Sequence, residues 1–207
     1  MTVVALGASG GTGRHVVEFA LARGVPVRAL VRDPARAGFA PRHDLEVVPV
    51  DVHDPATVAG ALGPEDVLVS TLGSSRKAAP GTLTAGAQAV LAAAPRRIVW
   101  MGAAGTGPSA HTTGRFTRTF LAAVMGDHVG DKERADPAVL EGGGVVVHVG
   151  RLEDSATTQG HTLVPAARVP RTFSPHGASR REVARLLVEA ALDEGVAPGL
   201  HLVRRLG

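Results

Sequence analysis

Short, continuous runs of apolar residues recur along the chain and alternate with longer, alanine-rich stretches of helical character. The runs are too short for helices and do not alternate between apolar and polar residues, so they predict strands that are buried on both faces. The predicted strands span residues 2–6, 25–31, 46–49, 67–70, 97–101 and 145–149. The stretches between them predict helices at 11–23, 55–62, 82–93 and roughly 115–141.

The alternation of strand and helix predicts an α/β fold with a doubly wound parallel sheet, helices on both faces and right-handed crossovers. After the sixth strand, a helix at about 180–193 and a strand at 200–203 predict a short C-terminal segment that covers the substrate. The stretch 104–114, rich in Gly, Ser, Thr and Pro, predicts a loop over the sheet edge. Because the sequence shows no repeat and no domain linker, residues 1–207 are predicted to form a single domain.

Composition excludes several kinds of site. Of the 207 residues, 44% are hydrophobic and only 3% aromatic, so we expect a globular core of Val, Leu and Ala. The chain has no cysteine, which excludes disulfides, thiol nucleophiles and thiolate metal sites. The histidines fit no metal-binding spacing, so no metal is predicted. Ser70, Ser74 and Ser75 lack the pattern of a hydrolase nucleophile, and His148 and Trp100 lie inside predicted strands as expected core residues.

Charge and hydropathy bear on partners and location. The net charge is only +3, and the isoelectric point near 10.4 arises because the cations are almost all scattered arginines. We therefore predict no nucleic-acid partner. No apolar stretch approaches the roughly 18 residues of a membrane span, and no signal-like run precedes the first strand. We expect a cytoplasmic protein without membrane contact, a monomer or homodimer, that acts on a small-molecule substrate.

Residues 7–13 read GASGGTG and stand between the first predicted strand and the first predicted helix. This run is either a flexible turn or a loop whose bare backbone approaches a ligand. Its three spaced glycines would permit a tight turn, close approach to phosphate and packing of the helix on the sheet, while the helix N-terminus offers unpaired N–H groups. We favour a Rossmann-type site for a dinucleotide pyrophosphate. The predicted contacts are Gly7, Ser9, Gly10, Gly11, Thr12 and Gly13.

The glycine spacing G-x-x-G-x-x-G resembles that of the atypical and extended short-chain dehydrogenase/reductase families. Further segments narrow the resemblance, namely LVRDPARA, VVPVDVHDPATVAGAL, VLVSTLGSS and RRIVWMGAAG. With them the chain resembles the NmrA-like NAD(P)-binding family, and within it the group of biliverdin-IXβ and flavin reductases. The later segments DHVGDKERADPAVLEGGGVVVHVGR and SRREVARLLVEAALDE also match that group. The resemblance covers about residues 2–204 and implies a Rossmann-like, NAD(P)H-dependent reductase.

The resemblance also implies further contacts to the cofactor. It places Asp51 and Val52 at the adenine, and the turn of Leu72 and Gly73 beneath the ribose. Met101, at the end of the fifth predicted strand, completes the set on the nicotinamide side. For Asp51 an alternative stays open, in which it is a loop residue that caps the next helix.

The end of the second predicted strand indicates which dinucleotide binds. NAD-binding versions of the fold place an acidic residue there, which bonds the ribose 2′-hydroxyl. This chain has Arg32 at that position and Arg36 one helical turn later. Guanidinium groups match a 2′-phosphate, so we predict NADP(H) as the cofactor. Asp33 argues for NAD(H), although Asp-Pro is also a typical helix start.

The catalytic position departs from that of ordinary short-chain dehydrogenases, which use Tyr-x-x-x-Lys and a serine. The chain contains no tyrosine, and the matching spacing holds His128 and Lys132 on one helix face. The serine position falls within residues 101–103, which carry no hydroxyl. We predict that His128 donates a proton or orients the substrate, and that Lys132 is catalytic and contacts the cofactor. Alternatively, His128 pairs with Asp127 or Asp131 at the surface and Lys132 is solvated.

Hydride delivery without a precisely placed acid suits acceptors that spread charge over a large π system. The predicted function is therefore an NADPH-dependent reductase of a flavin, quinone, bilin or similar conjugated molecule, with a shallow, open pocket. Two other functions stay open. One is a non-catalytic NADP(H)-sensing regulator. The other is a non-redox isomerase or cyclase of a secondary-metabolite pathway, since the Arg- and Ala-rich composition is typical of GC-rich bacterial genomes.

Overall fold

A computed structural model describes residues 1–73, 79–112, 128–155, 160–170 and 177–206, without the side chains of residues 110–112 and 128–129. The strands among these residues are β1 Val3–Leu6, β2 Val27–Val31, β3 Leu45–Pro49, β4 Val67–Ser70, β5 Arg97–Ala103, β6 Val145–Val149, β7 Leu152–Glu153, β8 His161–Pro165, β9 Ala178–Ser179 and β10 Gly199–Arg205. The helices are α1 Gly11–Ala22, α2 Pro34–Ala37, α3 Pro55–Ala61, α4 Thr82–Ala93, α5 His128–Glu141 and α6 Arg180–Leu192, with 3-10 turns at Gly107–Thr112 and Ala166–Arg168.

Eight strands form one twisted sheet in the order β3-β2-β1-β4-β5-β6-β10-β8. All neighbours pair in parallel except β8, which runs antiparallel to β10 at the edge. Helices α1 and α6 pack on one face, and α3, α4 and α5 on the other. The predicted doubly wound α/β fold is therefore confirmed. Strands β7 and β9 form a separate parallel pair.

Alternate residues of the central strand enter opposite layers of the core. In β1, Val3 and Ala5 pack with α1 and α6, whereas Val4 and Leu6 pack toward α3 and α4. All four are at most 3% exposed, as expected for strands covered on both faces. Among the described residues, no helix combines the length and apolar character that crossing a membrane requires.

Most predicted elements are present with ends shifted by one or two residues. The loop predicted at 104–114 contains the 3-10 turn Gly107–Thr112. The helix predicted from about residue 115 is described only from His128, since 113–127 lie outside the described residues. The Asp-Pro step does begin a helix, because the Asp33 carboxylate accepts from the amide of Ala35 at 3.1 Å. Strands β7, β8 and β9 were not predicted.

The N-terminus of α4 is capped from another helix. Its N-cap residue, Gly81, has no side chain to accept from the first-turn amides. Asp131 of α5 does so instead, accepting from the amides of Leu83 and Thr84 at 2.9 Å each and from the Thr84 hydroxyl at 2.6 Å. Burial alone would raise the pKa of Asp131, but these hydrogen bonds outweigh it and the pKa lies below its ordinary value of 3.8. Asp131 therefore ties α5 to α4.

We expect Asp131→Asn to lower the free energy of unfolding by about 1–3 kcal/mol at about pH 7, since two buried amides lose a charged acceptor. A depressed carboxyl pKa contributes stability that is present above the unfolded pKa and is lost as the pH falls through the folded pKa. The difference between wild type and variant should therefore shrink at about pH 3. Urea unfolding at both pH values measures it, with the exposed Glu133→Gln on the same helix as the control. Equal unfolding free energies for Asp131→Asn and wild type at neutral pH would contradict the capping role.

Candidate cofactor site

A cavity of about 570 Å³ lies across the carboxyl ends of the central strands. Ligand pockets in proteins typically measure about 300–1,000 Å³. Its lining comes from the loops after β1, β2, β3 and β4, from β5 and from the start of α6. The loops after β1 and β4 diverge at this point because β1 lies between β2 and β4, which is where doubly wound sheets bind ligands.

The glycine run forms one wall of this cavity through its backbone. Gly7 has φ +78°, a left-handed conformation that side chains disfavour, and its carbonyl accepts from the amide of Gly10 at 3.0 Å. Helix α1 begins at Gly11, and its N-cap residue Gly10 provides no side-chain acceptor to the first-turn amides. No acidic residue lies in the first turn. The free amides and the positive end of the helix dipole suit an anion such as a pyrophosphate.

Close packing beneath the glycine loop explains its sequence. A Cβ at Gly13 would overlap the carbonyl oxygen of Gly7 and come within 2.9 Å of the Thr71 hydroxyl. Thr71 donates from that hydroxyl to the carbonyls of Leu6 at 3.2 Å and Gly7 at 3.3 Å. The loop is therefore fixed against the end of β4. Gly13 serves packing and is not among the lining residues, whereas Gly7 combines a left-handed turn with a place in the cavity wall.

The loop after β2 brings one of its two arginines to the cavity. Arg32 is exposed and lines the cavity directly after β2. Asp33, the residue that argued for NAD(H), caps α2 and pairs with Arg36 at 3.5 Å. Arg36 is 89% exposed and is not among the described lining residues. Arg32 thus lines this end of the cavity while Arg36 pairs with Asp33, and contact of either arginine with a cofactor stays a prediction.

The loop after β3 contributes Asp51, Val52 and His53 to the lining. The Asp51 carboxylate accepts from the amide of His53 at 2.9 Å, within its own loop. The cap of α3 is Asp54, which accepts from the amide of Ala56 at 3.1 Å. The alternative that Asp51 caps the next helix is therefore wrong, and its contact with the cofactor stays a prediction.

Eleven of the predicted cofactor contacts line the cavity together: Gly7, Ser9, Gly10, Gly11, Thr12, Arg32, Asp51, Val52, Leu72, Gly73 and Met101. Gly13, Arg36 and Lys132 are not among its described lining residues. His128 is the first residue of α5, and its side chain lies outside the described residues. Its catalytic role therefore stays a prediction, as does the predicted shallow pocket.

Lys132 lies on α5 and is buried, with an exposure of 9%. The alternative interpretation, in which Lys132 is solvated, is therefore wrong. Burial lowers the pKa of Lys132 below its ordinary value, although the charges of Asp136 and Asp131 oppose the shift. A buried ammonium near two carboxylates can stabilise the fold, and it can also take part in catalysis. The predicted catalytic role of Lys132 and its contact with the cofactor therefore stay predictions.

A buried polar network lies behind the end of β5. The Asp136 carboxylate accepts from Trp100 Nε1 at 3.1 Å and from His148 Nε2 at 2.9 Å. The Ser109 hydroxyl lies 2.6 Å from His148 Nδ1, on the other side of the ring. All four side chains are at most 1% exposed, which confirms that His148 and Trp100 are core residues. Although the residue types match a Ser-His-Asp triad, a hydroxyl that is fully buried does not meet a substrate.

This network leaves no room for a side chain at residue 102, one of the three residues over which the serine position falls. A Cβ on Gly102 would come within 2.5 Å of His148 Cδ2 and 2.8 Å of Asp136 Oδ2. A serine therefore does not fit at residue 102 while the His148–Asp136 pair is present.

Sequence reasoning missed several cavity residues, among them His53, Thr82, Leu152 and Arg180. His53 follows Asp51 and Val52 directly, and its Nε2 lies 3.2 Å from the Thr82 hydroxyl, so its position after β3 was a usable signal. Leu152 and Arg180 reach the cavity through the pairing of β7 with β9, for which the sequence carries no local signal.

The fold is shared with solved structures over nearly their whole length. ChuY, an anaerobillin reductase from Escherichia coli O157:H7, is 21% identical with a TM-score of 0.76, covering 99% of this chain and 97% of that chain. A wide-type short-chain dehydrogenase/reductase from Veillonella parvula DSM 2008, in complex with NADP, is 15% identical with a TM-score of 0.78, covering 100% and 95%. The oxidoreductase ylbE from Lactococcus lactis is 15% identical with a TM-score of 0.79, covering 100% and 91%. At these identities the likeness shows a common fold.

A family model described as NAD(P)H-binding matches residues 7–194, which include the glycine loop, the ends of β2 to β5 and all of α6. The match begins at the glycine whose left-handed turn opens the cavity. The chain therefore belongs to the NAD(P)H-binding family.

Proposed function

We propose that this protein is an NADPH-dependent reductase that transfers hydride to a conjugated or aromatic small molecule such as a flavin, quinone or bilin. The observation that carries the proposal is the cavity itself. It joins the α1 N-terminus and Arg32 to Met101 and Leu152 on one continuous surface. This arrangement has room and matching groups for a dinucleotide, with the phosphate-binding elements between its two ends.

The chain's own residues would divide the binding as follows. Arg32 would pair with a 2′-phosphate, and the free amides of Gly11 and Thr12 would bind the pyrophosphate. Val52 and Leu72 offer apolar surface to the adenosine. Met101 would lie against the nicotinamide. The use of Asp33 as the cap of α2 supports NADPH over NADH, since that carboxylate is engaged away from a ribose.

Proton supply supports the choice of acceptor. Bound NADPH would supply a hydride, and the acceptor would take up one proton with it to complete a two-electron reduction. The chain has no tyrosine, and its buried network excludes a serine at residue 102. Among the groups left for proton transfer are solvent and His128, at the first residue of α5. Conjugated acceptors suit this arrangement because they delocalise the added charge and need less help from a fixed acid.

We expect Arg32→Ala to weaken NADPH binding about tenfold or more, since an ion pair with the 2′-phosphate is lost. NADH lacks that phosphate, so its dissociation constant should stay within about twofold. Fluorescence or calorimetric titration of both nucleotides measures the difference.

Arg42→Ala is the matched control, because Arg42 is exposed, pairs with Asp44 at 2.8 Å and is not among the lining residues. If Arg32→Ala weakened both nucleotides equally, or neither, the assignment of NADPH selectivity to Arg32 would fail.

We expect His128→Asn to slow the oxidation of NADPH by a flavin, quinone or bilin acceptor by about tenfold to a hundredfold, because a positioned proton donor contributes at least that much. The wild-type rate should fall as the pH rises and the imidazole loses its proton, and this dependence should vanish in the variant. The dissociation constant for NADPH should not change.

His15→Asn, on α1 and paired with Glu18, is the control. An unchanged rate and pH profile in His128→Asn would assign the proton to solvent. A wild type that binds NADPH tightly but oxidises it with none of these acceptors would favour the sensing regulator over the reductase.

A further inference from the structure

Arg180 lines the cavity beside the glycine loop, although the two are far apart in the sequence. Its side chain lies against the first residue of α1. A Cβ placed on Gly11 would be 2.8 Å from Arg180 Cδ, 3.0 Å from Nε and 3.9 Å from the guanidinium carbon. The guanidinium group is therefore a neighbour of the free first-turn amides of α1.

The backbone around Arg180 is fixed by two adjoining elements. Strand β9 ends one residue before it, and the amide of Ala178 donates to the carbonyl of Arg151 at 3.0 Å in the pairing with β7. Helix α6 begins at Arg180 itself, and the Ser179 hydroxyl caps it by accepting from the amide of Glu182 at 3.1 Å. Because the backbone of Arg180 is held between a strand and a capped helix start, its side chain begins from a fixed position, as a ligand-binding side chain requires.

The charge of Arg180 is unfavourable in its local context. A cation at the first position of a helix faces the positive end of the helix dipole. The next residue, Arg181, has partners on α1 that explain its charge at this position. Its guanidinium lies 5.0 Å from the Phe19 ring centre and 3.7 Å from the Glu18 carboxylate. For Arg180 the polar partner among the described residues is Asp154, which is 85% exposed.

An ion pair with so exposed a carboxylate contributes little to stability. The Arg180 side chain, in contrast, is only 29% exposed. Within the part of the chain that the structure describes, Arg180 is thus a locally unfavourable cation that lines a cavity and has an exposed carboxylate as its charged partner, which indicates a role toward a ligand.

We propose that Arg180 binds the pyrophosphate of the dinucleotide, and that the guanidinium exchanges Asp154 for phosphate oxygens when the nucleotide enters. The inference rests on the proposed function only in requiring that a dinucleotide occupies this cavity. The amides of α1 and the guanidinium of Arg180 would then hold the anion from two sides, with charge-assisted hydrogen bonds. Because NADPH and NADH share the pyrophosphate, Arg180 would strengthen binding of both, whereas Arg32 would discriminate between them.

The test is a titration of NADPH and NADH against wild type, Arg180→Ala, Arg180→Lys and Arg181→Ala. Arg180→Ala should weaken both nucleotides by the same factor, about tenfold. Arg180→Lys should keep part of the affinity, since the charge remains while the bidentate geometry is lost. Arg181→Ala removes a neighbouring cation from the same helix turn and should leave both dissociation constants within about twofold.

Asp154→Asn tests the exchange of partners. It should tighten NADPH binding about threefold in wild type, because the competing carboxylate is removed, and should have no effect in the Arg180→Ala background. Thermal unfolding midpoints of the nucleotide-free variants verify that each folds like wild type.

Equal nucleotide affinities in wild type and both Arg180 variants would overturn this inference alone, as would a rise in KM for an acidic acceptor with no change in nucleotide binding. An effect of Asp154→Asn that persists without Arg180 would overturn the exchange. A wild type that binds neither nucleotide would overturn the inference and the proposed function together. Binding that depends on Arg180 without any NADPH oxidation would support the inference while the reductase proposal fails.

Discussion

Parallel pairing of β1 with both β2 and β4 is the constraint on which the site depends. The chain leaves β1 through α1 on one face of the sheet, and it returns from β3 through α3 on the other face before it enters β4. The loops that follow β1 and β4 therefore diverge and leave a crevice between them. The N-terminus of α1 opens into this crevice, and the loops after β2 and β3 bring Arg32 and Asp51 to the same edge.

The glycines of the loop at residues 7–13 are required by close packing more than by flexibility. The left-handed turn disfavours a side chain at residue 7, and the contact of Gly13 with the Gly7 carbonyl leaves no space for one at residue 13. Thr71 then fastens the loop to the end of β4 through two hydrogen bonds. A loop held in this way presents the free amides of α1 in a fixed direction. Such preorganisation lowers the cost of ordering the protein around an anion.

Behind β5, a buried network of polar side chains determines the packing. Asp136 and His148 fill the space that a side chain at residue 102 would need, and Trp100 and Ser109 complete the hydrogen bonds of that pair. Fully bonded polar groups in a low-dielectric interior fix the packing of the elements that carry them. Here they join α5 and the turn after β5 to the sheet. Residue 102 therefore has no room for the serine side chain that ordinary short-chain dehydrogenases carry in this region.

The sequence by itself determined strands β1 to β6 and β10, the doubly wound fold, the glycine loop and the position of Arg32, because each depends on local periodicity or on spacing within one strand–turn–helix unit. Sequence reasoning was less successful where the position or role of a residue depends on contacts with residues distant in the chain. Only the tertiary structure placed Arg180 against Gly11, paired β8 with β10 and put His148 beside Gly102. These contacts join segments far apart in the chain. They arise from the packing of α6 on α1, from the pairing of β8 at the sheet edge and from the register of β5 with β6, and none of these leaves a periodic pattern in the sequence.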